Sequence, residues 1–169
     1  DGYDTGAQLV IENSDFTNLQ VKGNYPRTEP IFIHGSNFNN CHIYSDSYNA
    51  GIFIYDSNID NSHFEGACCG SNINLFNSNV TDSYFDQNNS NFSCHIENSY
   101  LSNSPFNLNS ANLTIIDSNI DYFGGIAIAA SSLNMSGTTI TGDGTGTAVQ
   151  ASGSIDASSI IHNAVGIEG

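Results

Sequence analysis

Positive charge is nearly absent from this chain. Lys22 and Arg27 are its only strong cations, against 17 Asp and Glu, and the net charge is −15 over 169 residues. A protein that grips phosphate needs clustered Lys and Arg to displace counterions. Nucleic acid is therefore excluded as a partner, and anionic lipid with it. Long apolar runs are missing too. None approaches the 18 residues a membrane helix requires, so no membrane insertion is expected. No segment keeps the i, i+3, i+4, i+7 spacing of an amphipathic helix over two turns. Helix-stopping Gly, Asn and Asp are scattered throughout. No stretch of these residues reads as a signal peptide, and no catalytic motif stands out from the background.

What fills the chain instead is Asn, Ser, Thr and Gly, with charged residues at only 11% and hydrophobic ones at 38%. So low an apolar share raises the prospect of disorder, but the apolar residues are strictly placed. One pattern recurs: I-F-I-Y-D-S-N-I-D-N-S-H-F from Ile52, I-N-L-F-N-S-N-V-T-D-S-Y-F from Ile73, C-H-I-E-N-S-Y-L-S-N-S-P-F from Cys94. Its central apolar residue falls at Phe16, Phe38, Ile59, Val80, Leu101, Ile120, Ile140 and Ile160, in steps of 19 to 22. A fixed period held for eight passes is the signature of a repeat architecture. Around the first five anchors, apolar residues return five and seven before and five after, as Ile54, Ile52 and Phe64 do about Ile59. The first repeat fits with Leu9, Ile11 and Val21 about Phe16. Alternation of the Ile-x-Ile kind is that of a strand with one face buried.

Each repeat then reads as a coil of short strands joined by bends of Asn, Ser, Gly and Asp, residues that tolerate left-handed backbone. Two residues past the anchor stand Asn18, Asn40, Asn61, Asp82 and Asn103, which stacking would place in an amide ladder. Gly23 to Pro30 reads as a bulged loop. From about Gly124 the aromatics give way to Ile, Ala, Ser, Thr and Gly, yet the period survives. The expected fold is therefore all-β: a single-stranded parallel β-helix of about eight coils of 19–22 residues, with residues 1–169 one domain. At about 4.8 Å per coil the rod is on the order of 38 Å long.

In this texture the chain resembles right-handed parallel β-helices of the pectate-lyase-like superfamily. Its stretch G-G-I-A-I-A-A-S-S-L-N-M-S-G-T-T-I-T-G-D-G resembles the non-catalytic passenger repeats of bacterial surface proteins. The triplets S-N-F (36–38), S-N-I (57–59) and S-N-V (78–80), with five-residue steps from Ile54 to Ile59 to Phe64, are similar instead to pentapeptide-repeat proteins. Steps of 21 and 22 residues do not divide into fives, and the first resemblance is preferred on that ground.

Chemistry-bearing residues are few. Asp60, Asp82, Asp86, Asp117 and Asp121 lie in neighbouring coils, where paired carboxylates could do acid–base work. The plainer reading is solvated turn and surface residues. The base that β-helix lyases need has no counterpart at Lys22 or Arg27. His42 and His63 share a column four past the anchor, and with a third ligand could hold a metal, but Tyr84 and Pro105 continue that column. Cys94 and Cys41 read as small core residues, and Cys68–Cys69 does not have zinc spacing. G-D-G-T-G-T (142–147) is weakly similar to calcium-binding glycine-rich repeats and reads more simply as a turn. No catalytic residue, metal ligand or cofactor is assigned.

The positions flanking the anchor are more suggestive. Asn37 and Asn39, Asn58 and Asp60, Asn79 and Thr81, Asn119 and Asp121, Thr139 and Thr141 would form two ranks of short polar side chains on a flat sheet, interrupted by Tyr100. This is the candidate surface-contact face. Terminal coils expose unpaired strand edges, so flanking coils or other copies of the chain are expected partners there. The expected role is a non-enzymatic secreted or cell-surface rod: a stalk, adhesin or fibre segment that touches glycan or another surface. A carbohydrate-active enzyme and an ice-binding protein are the alternatives.

Overall fold

The computed structural model describes residues 9–24, 30–46, 51–66, 70–87, 91–161 and 165–168. The turn beginning at Gly51 shows how the repeat folds. Gly51–Tyr55 forms a first side, Asn58–Asp60 a second and His63–Gly66 a third. Each strand pairs in parallel with its equivalents in the turns before and after. The eight anchors form one file: Phe16, Phe38, Ile59, Val80, Leu101, Ile120, Ile140 and Ile160 are successive register partners. The described residues contain strands and no helix. The chain is a parallel β-solenoid, as the spacing predicts. The expected eight coils need one adjustment. Eight strands cross the second side, and the described residues make about six turns.

Inside the turns, like residues stack on like. Ile33, Ile54, Leu75, Ile96, Ile115 and Met135 form one fully buried file. Phe64, Phe85 and Phe106 form another, their rings stacked at 4.4 Å. Burying each such side chain contributes about 1.5–3 kcal/mol. Among the described residues Leu9–Glu12 is an edge strand, so Leu9 is exposed although it holds a core position. Beside the phenylalanine file, Gly66 leaves room for Phe92, whose ring would lie 2.0 Å from any Cβ at that position.

The corners are built from two residues. Between the first and second sides, Asn13, Gly35, Asp56, Asn77, Asn98, Asp117, Gly137 and Ala157 all have left-handed backbone. The expected column Asn18, Asn40, Asn61, Asp82 and Asn103 holds the same conformation between the second and third sides. Amide contacts run along that column, since Asn40 Nδ2 donates to Asn18 Oδ1 at 2.6 Å and Asn103 Nδ2 to Asp82 Oδ1 at 2.8 Å. After each first-corner residue comes a Ser or Thr that points inward. The backbone N–H groups of Ser14, Ser36, Ser57, Ser78, Ser99, Ser118 and Thr138 each donate to the hydroxyl one turn on, at 3.1–3.4 Å. Those hydroxyls in turn donate to carbonyls two residues back, as Ser57 Oγ does to Tyr55 O at 2.7 Å. A second ladder, Cys41, Ser62, Ser83 and Ser104, repeats the device at the next corner. Every buried polar side chain among the described residues is Ser or Thr.

Past Phe106 the third side of one turn runs unbroken into the first side of the next. The strands Phe106–Ile116, Ile126–Ser136 and Thr147–Asp156 do this, with a bulge where they turn. They merge the first and third sides into one thirteen-stranded sheet. The change of composition near Gly124 is therefore a change in how turns connect, and the anchor steps of 19 and 20 fall in the same region. Cys94 lies in the apolar file of Ile31, Ile52, Ile73 and Leu113, and burial raises its thiol pKa. Cys41 is also buried, but at a serine position, with Sγ 3.4 Å from Asn39 O. Cys68, Cys69 and most of the expected Gly23–Pro30 loop lie outside the described residues.

The same substitution should act differently at the two cysteines. Cys41→Ser restores the hydroxyl its neighbours already use and should change stability by less than about 1 kcal/mol. Cys94→Ser buries a hydroxyl among aliphatic groups and should cost about 1–3 kcal/mol. Urea unfolding followed by circular dichroism checks both, and equal costs would contradict the corner account. Ala157 is the one non-glycine corner residue without a side-chain amide or carboxylate. Since left-handed backbone costs a Cβ-bearing residue about 1–2 kcal/mol unless a short polar side chain relieves it, Ala157→Asn should raise stability by up to about 1 kcal/mol in the same assay.

Candidate functional site

The ten residues expected to form a contact face all stand on the second side. Their neighbours in register are Asp15, Asn37, Asn58, Asn79, Tyr100, Asn119 and Thr139 in one rank, and Thr17, Asn39, Asp60, Thr81, Ser102, Asp121 and Thr141 in the other. Strict alternation places them outward because the anchor between them points in. The side chains are tied to one another along the rod. Asn37 Nδ2 donates to Asp15 Oδ1 at 2.7 Å, and Asn58 Nδ2 to Asn37 Oδ1 at 3.0 Å. In the other rank Asp60 accepts from Asn39 Nδ2 at 3.0 Å and from Thr81 Oγ1 at 2.8 Å.

A shallow, open depression of about 340 Å³ lies over this half of the face, between Asp15 and Thr81. Tyr100 interrupts it. Its phenol crosses from one rank to the other and donates to Asp121 Oδ2 at 2.7 Å. That bond to a carboxylate, with some burial, raises the phenol pKa above its usual value. Asn119, Asp121, Thr139 and Thr141 therefore lie beyond a bulky break, apart from the six residues that share the depression.

Of the five aspartates, Asp60 and Asp82 come nearest in register, since Asp60 partners Thr81, the residue before Asp82. Asp82 and Asp117 occupy different corners and Asp86 the third side. Asp60 and Asp121 share a rank, but Thr81 and Ser102 stand between them, a span of roughly 14 Å at strand spacing. Paired glycosidase carboxylates sit about 5–9.5 Å apart. Asp143 in G-D-G-T-G-T closes a local turn. Its Oδ1 accepts from Thr145 N at 2.9 Å and Oγ1 at 2.6 Å, which lowers its pKa.

The histidine column forms as the spacing predicts. His42 and His63 are register partners with rings stacked at 4.6 Å and 5°. Tyr84 covers the other face of His63 at 4.0 Å. Sequence reasoning left this pair without a third ligand, and the structure supplies Glu65, whose Oε2 lies 2.8 Å from His42 Nε2. The ligand atoms of His42, His63 and Glu65 lie within 4.8 Å of one another. Glu65 was legible, being two residues along the same outward row as His63. Its reach across to the preceding turn was not. Burial, then the neighbouring His42, lower the His63 pKa, while Glu65 and Asp86 act in the opposite sense.

A further feature escaped the sequence reading. The outward residues of the first side are aromatic over several turns: Phe32 stacks on Phe53 at 5.2 Å, and His34, Tyr55 and Phe76 follow one another at 4.7 and 4.8 Å. The signal was the middle residue of Ile-x-Ile and the residue after it. Because these rings face each other, their edges meet solvent, and they make a rib along the rod with no flat platform.

No family model matches the chain, and no curated protein matches it. Solved structures of two trypsin-treated variants of QnrB1, described as a plasmid-mediated fluoroquinolone resistance protein, are similar to it. They align at 12% and 10% identity with TM-scores of 0.34 and 0.31, each over 92% of this chain and 92% of QnrB1. On its own strand pairing, this chain is an all-β parallel solenoid with an ordered polar face.

Proposed function

We propose that the chain is a non-enzymatic structural rod, a stalk, adhesin or fibre segment that is secreted or held at a cell surface, and that its second side contacts neutral glycan. The observation that carries this reading is the hydrogen bonding within the face. Amides and carboxylates from Asp15 to Thr81 are held in place by one another before any partner arrives. Groups ordered in advance lose less conformational entropy on binding. A shallow depression suits an extended polar ligand better than a small enclosed one. The net charge of −15 disfavours acidic polysaccharides, so the class favoured is neutral. The break at Tyr100 gives no support to a repeated ice-binding array.

Within this proposal the terminal turns join to flanking turns or to other copies of the chain. Leu9 and Leu19 at one end, and Ile155 and Ile167 at the other, are exposed apolar residues in inward files that a further turn would cover. The finer family placing leans to pentapeptide-type solenoids. Its support is that Ile54, Ile59 and Phe64, five residues apart, are each buried on successive sides, with Ser57 and Ser62 buried two residues before the latter two.

A glycan array probed with the chain tests the contact face. Binding to neutral oligosaccharides is expected, weakened at least tenfold by Asn37→Tyr with Asn58→Tyr, which extends the Tyr100 obstruction along the rank. Tyr55→Thr on the first side should leave it unchanged. Absence of binding, or binding insensitive to the paired tyrosines, would remove the contact-face reading.

A further inference from the structure

We propose that His42, His63 and Glu65 form a binding site for a divalent first-row transition metal, zinc being the best match. The site lies on the third side of the rod, on a different face from the polar ranks, and is independent of the glycan reading. Two imidazoles and one carboxylate are a known zinc ligand set, and it leaves a fourth position open to water or another ligand.

The first observation is convergence. The three ligand atoms already lie within 4.8 Å of one another, and His42 Nε2 and Glu65 Oε2 are 2.8 Å apart. Ligands at about 2.1 Å from a tetrahedral zinc stand roughly 3.4 Å apart. A zinc ion lies in the plane of each imidazole that binds it, so the parallel rings of His42 and His63 must tilt toward each other to share one. The second observation is an unpartnered atom. His63 Nε2 is shut off from solvent and has no hydrogen-bond partner. Leaving such an atom unpaired costs about 1–3 kcal/mol, and stacking alone does not require it. At the next turn Tyr84 fills the same column and stacks as well, with its hydroxyl carried beyond the ring.

The third observation concerns the neighbours. Gln20 Nε2 lies 3.1 Å from His42 Nδ1. An amide nitrogen only donates, so Nδ1 accepts and Nε2 carries the proton that is shared with Glu65. When metal takes Nε2, the proton belongs on Nδ1. Rotation of the Gln20 amide by half a turn then presents its oxygen to that proton. A hydrogen bond to the far ring nitrogen is the usual support of a metal-bound histidine. The ring of His63 is gripped between those of His42 and Tyr84. Asp86, the register partner of Glu65 one turn on, adds negative charge beside the site.

Zinc titration of the untagged, chelator-treated chain by isothermal calorimetry tests the proposal. One zinc per chain is expected to bind in the micromolar range or tighter. His63→Phe keeps the stacked ring and removes the nitrogen, and should weaken binding at least thirtyfold. Glu65→Gln, which replaces a ligating carboxylate with a neutral amide, should weaken it at least tenfold, while Asp117→Asn, at a corner on another part of the rod, should leave it unchanged. Cobalt in place of zinc should give the intense visible bands of a four-coordinate nitrogen and oxygen site, lost in His63→Phe. Circular dichroism confirms that each variant keeps its β fold, and Glu65→Gln decides the matter if His63→Phe does not. No zinc uptake, or uptake that survives the substitutions, overturns the assignment.

Discussion

The structure depends on how the backbone turns its corners. A parallel solenoid must bend sharply several times per turn, and at each bend the regular ladder between strands is interrupted. Here the bend is made by one left-handed residue followed by one buried Ser or Thr, and the hydroxyl takes over where the ladder stops. It accepts from the N–H one turn earlier and donates to a carbonyl of its own turn. Buried backbone groups without partners are costly, so the serine files let the bends lie inside a dry core. Because the hydroxyl is short, it holds successive turns at strand spacing and in register.

Everything outward follows from that register. When a turn repeats in phase, each outward position becomes a file of residues about 4.8 Å apart. At this spacing neighbouring side chains can bond or stack directly. Amides and carboxylates link into ranks on the second side, aromatic rings stack into a rib on the first, and imidazoles pair on the third. A solenoid thus turns a sequence period into three distinct surfaces, and those surfaces differ because their files hold different residue types. Function in such a molecule belongs to a face, which has length and repeat but no deep pocket.

Much of the architecture could be read from the residues. The anchors from Phe16 to Ile160 announced both the period and the buried file, because an apolar side chain returning every twenty-one residues has only one place to go. Asn18, Asn40 and Asn61 marked left-handed bends, since few residues accept that backbone. The outward ranks followed from alternation about the anchor. The inner serines were harder to place. Ser57 and Ser62 are polar residues beside polar residues, and nothing local separates an inward hydroxyl from a solvated one. The aromatic rib is harder to see because Phe53 and Tyr55 alternate with the buried Ile52 and Ile54, and attention to the core passes over the outward positions.

The amino-acid order by itself determined that this chain winds into stacked turns, which residues fill the interior, and that its surface is anionic, amide-rich and unsuited to phosphate. These are properties of composition and period, and they survive any local detail of packing. Only the tertiary structure decided which outward residues meet. Glu65 reaches His42 across a turn boundary, and Tyr100 lies across to Asp121. Those outcomes depend on rotamer, burial and the lateral offset between neighbouring turns, which are set by the packed core and cannot be read from spacing along the chain.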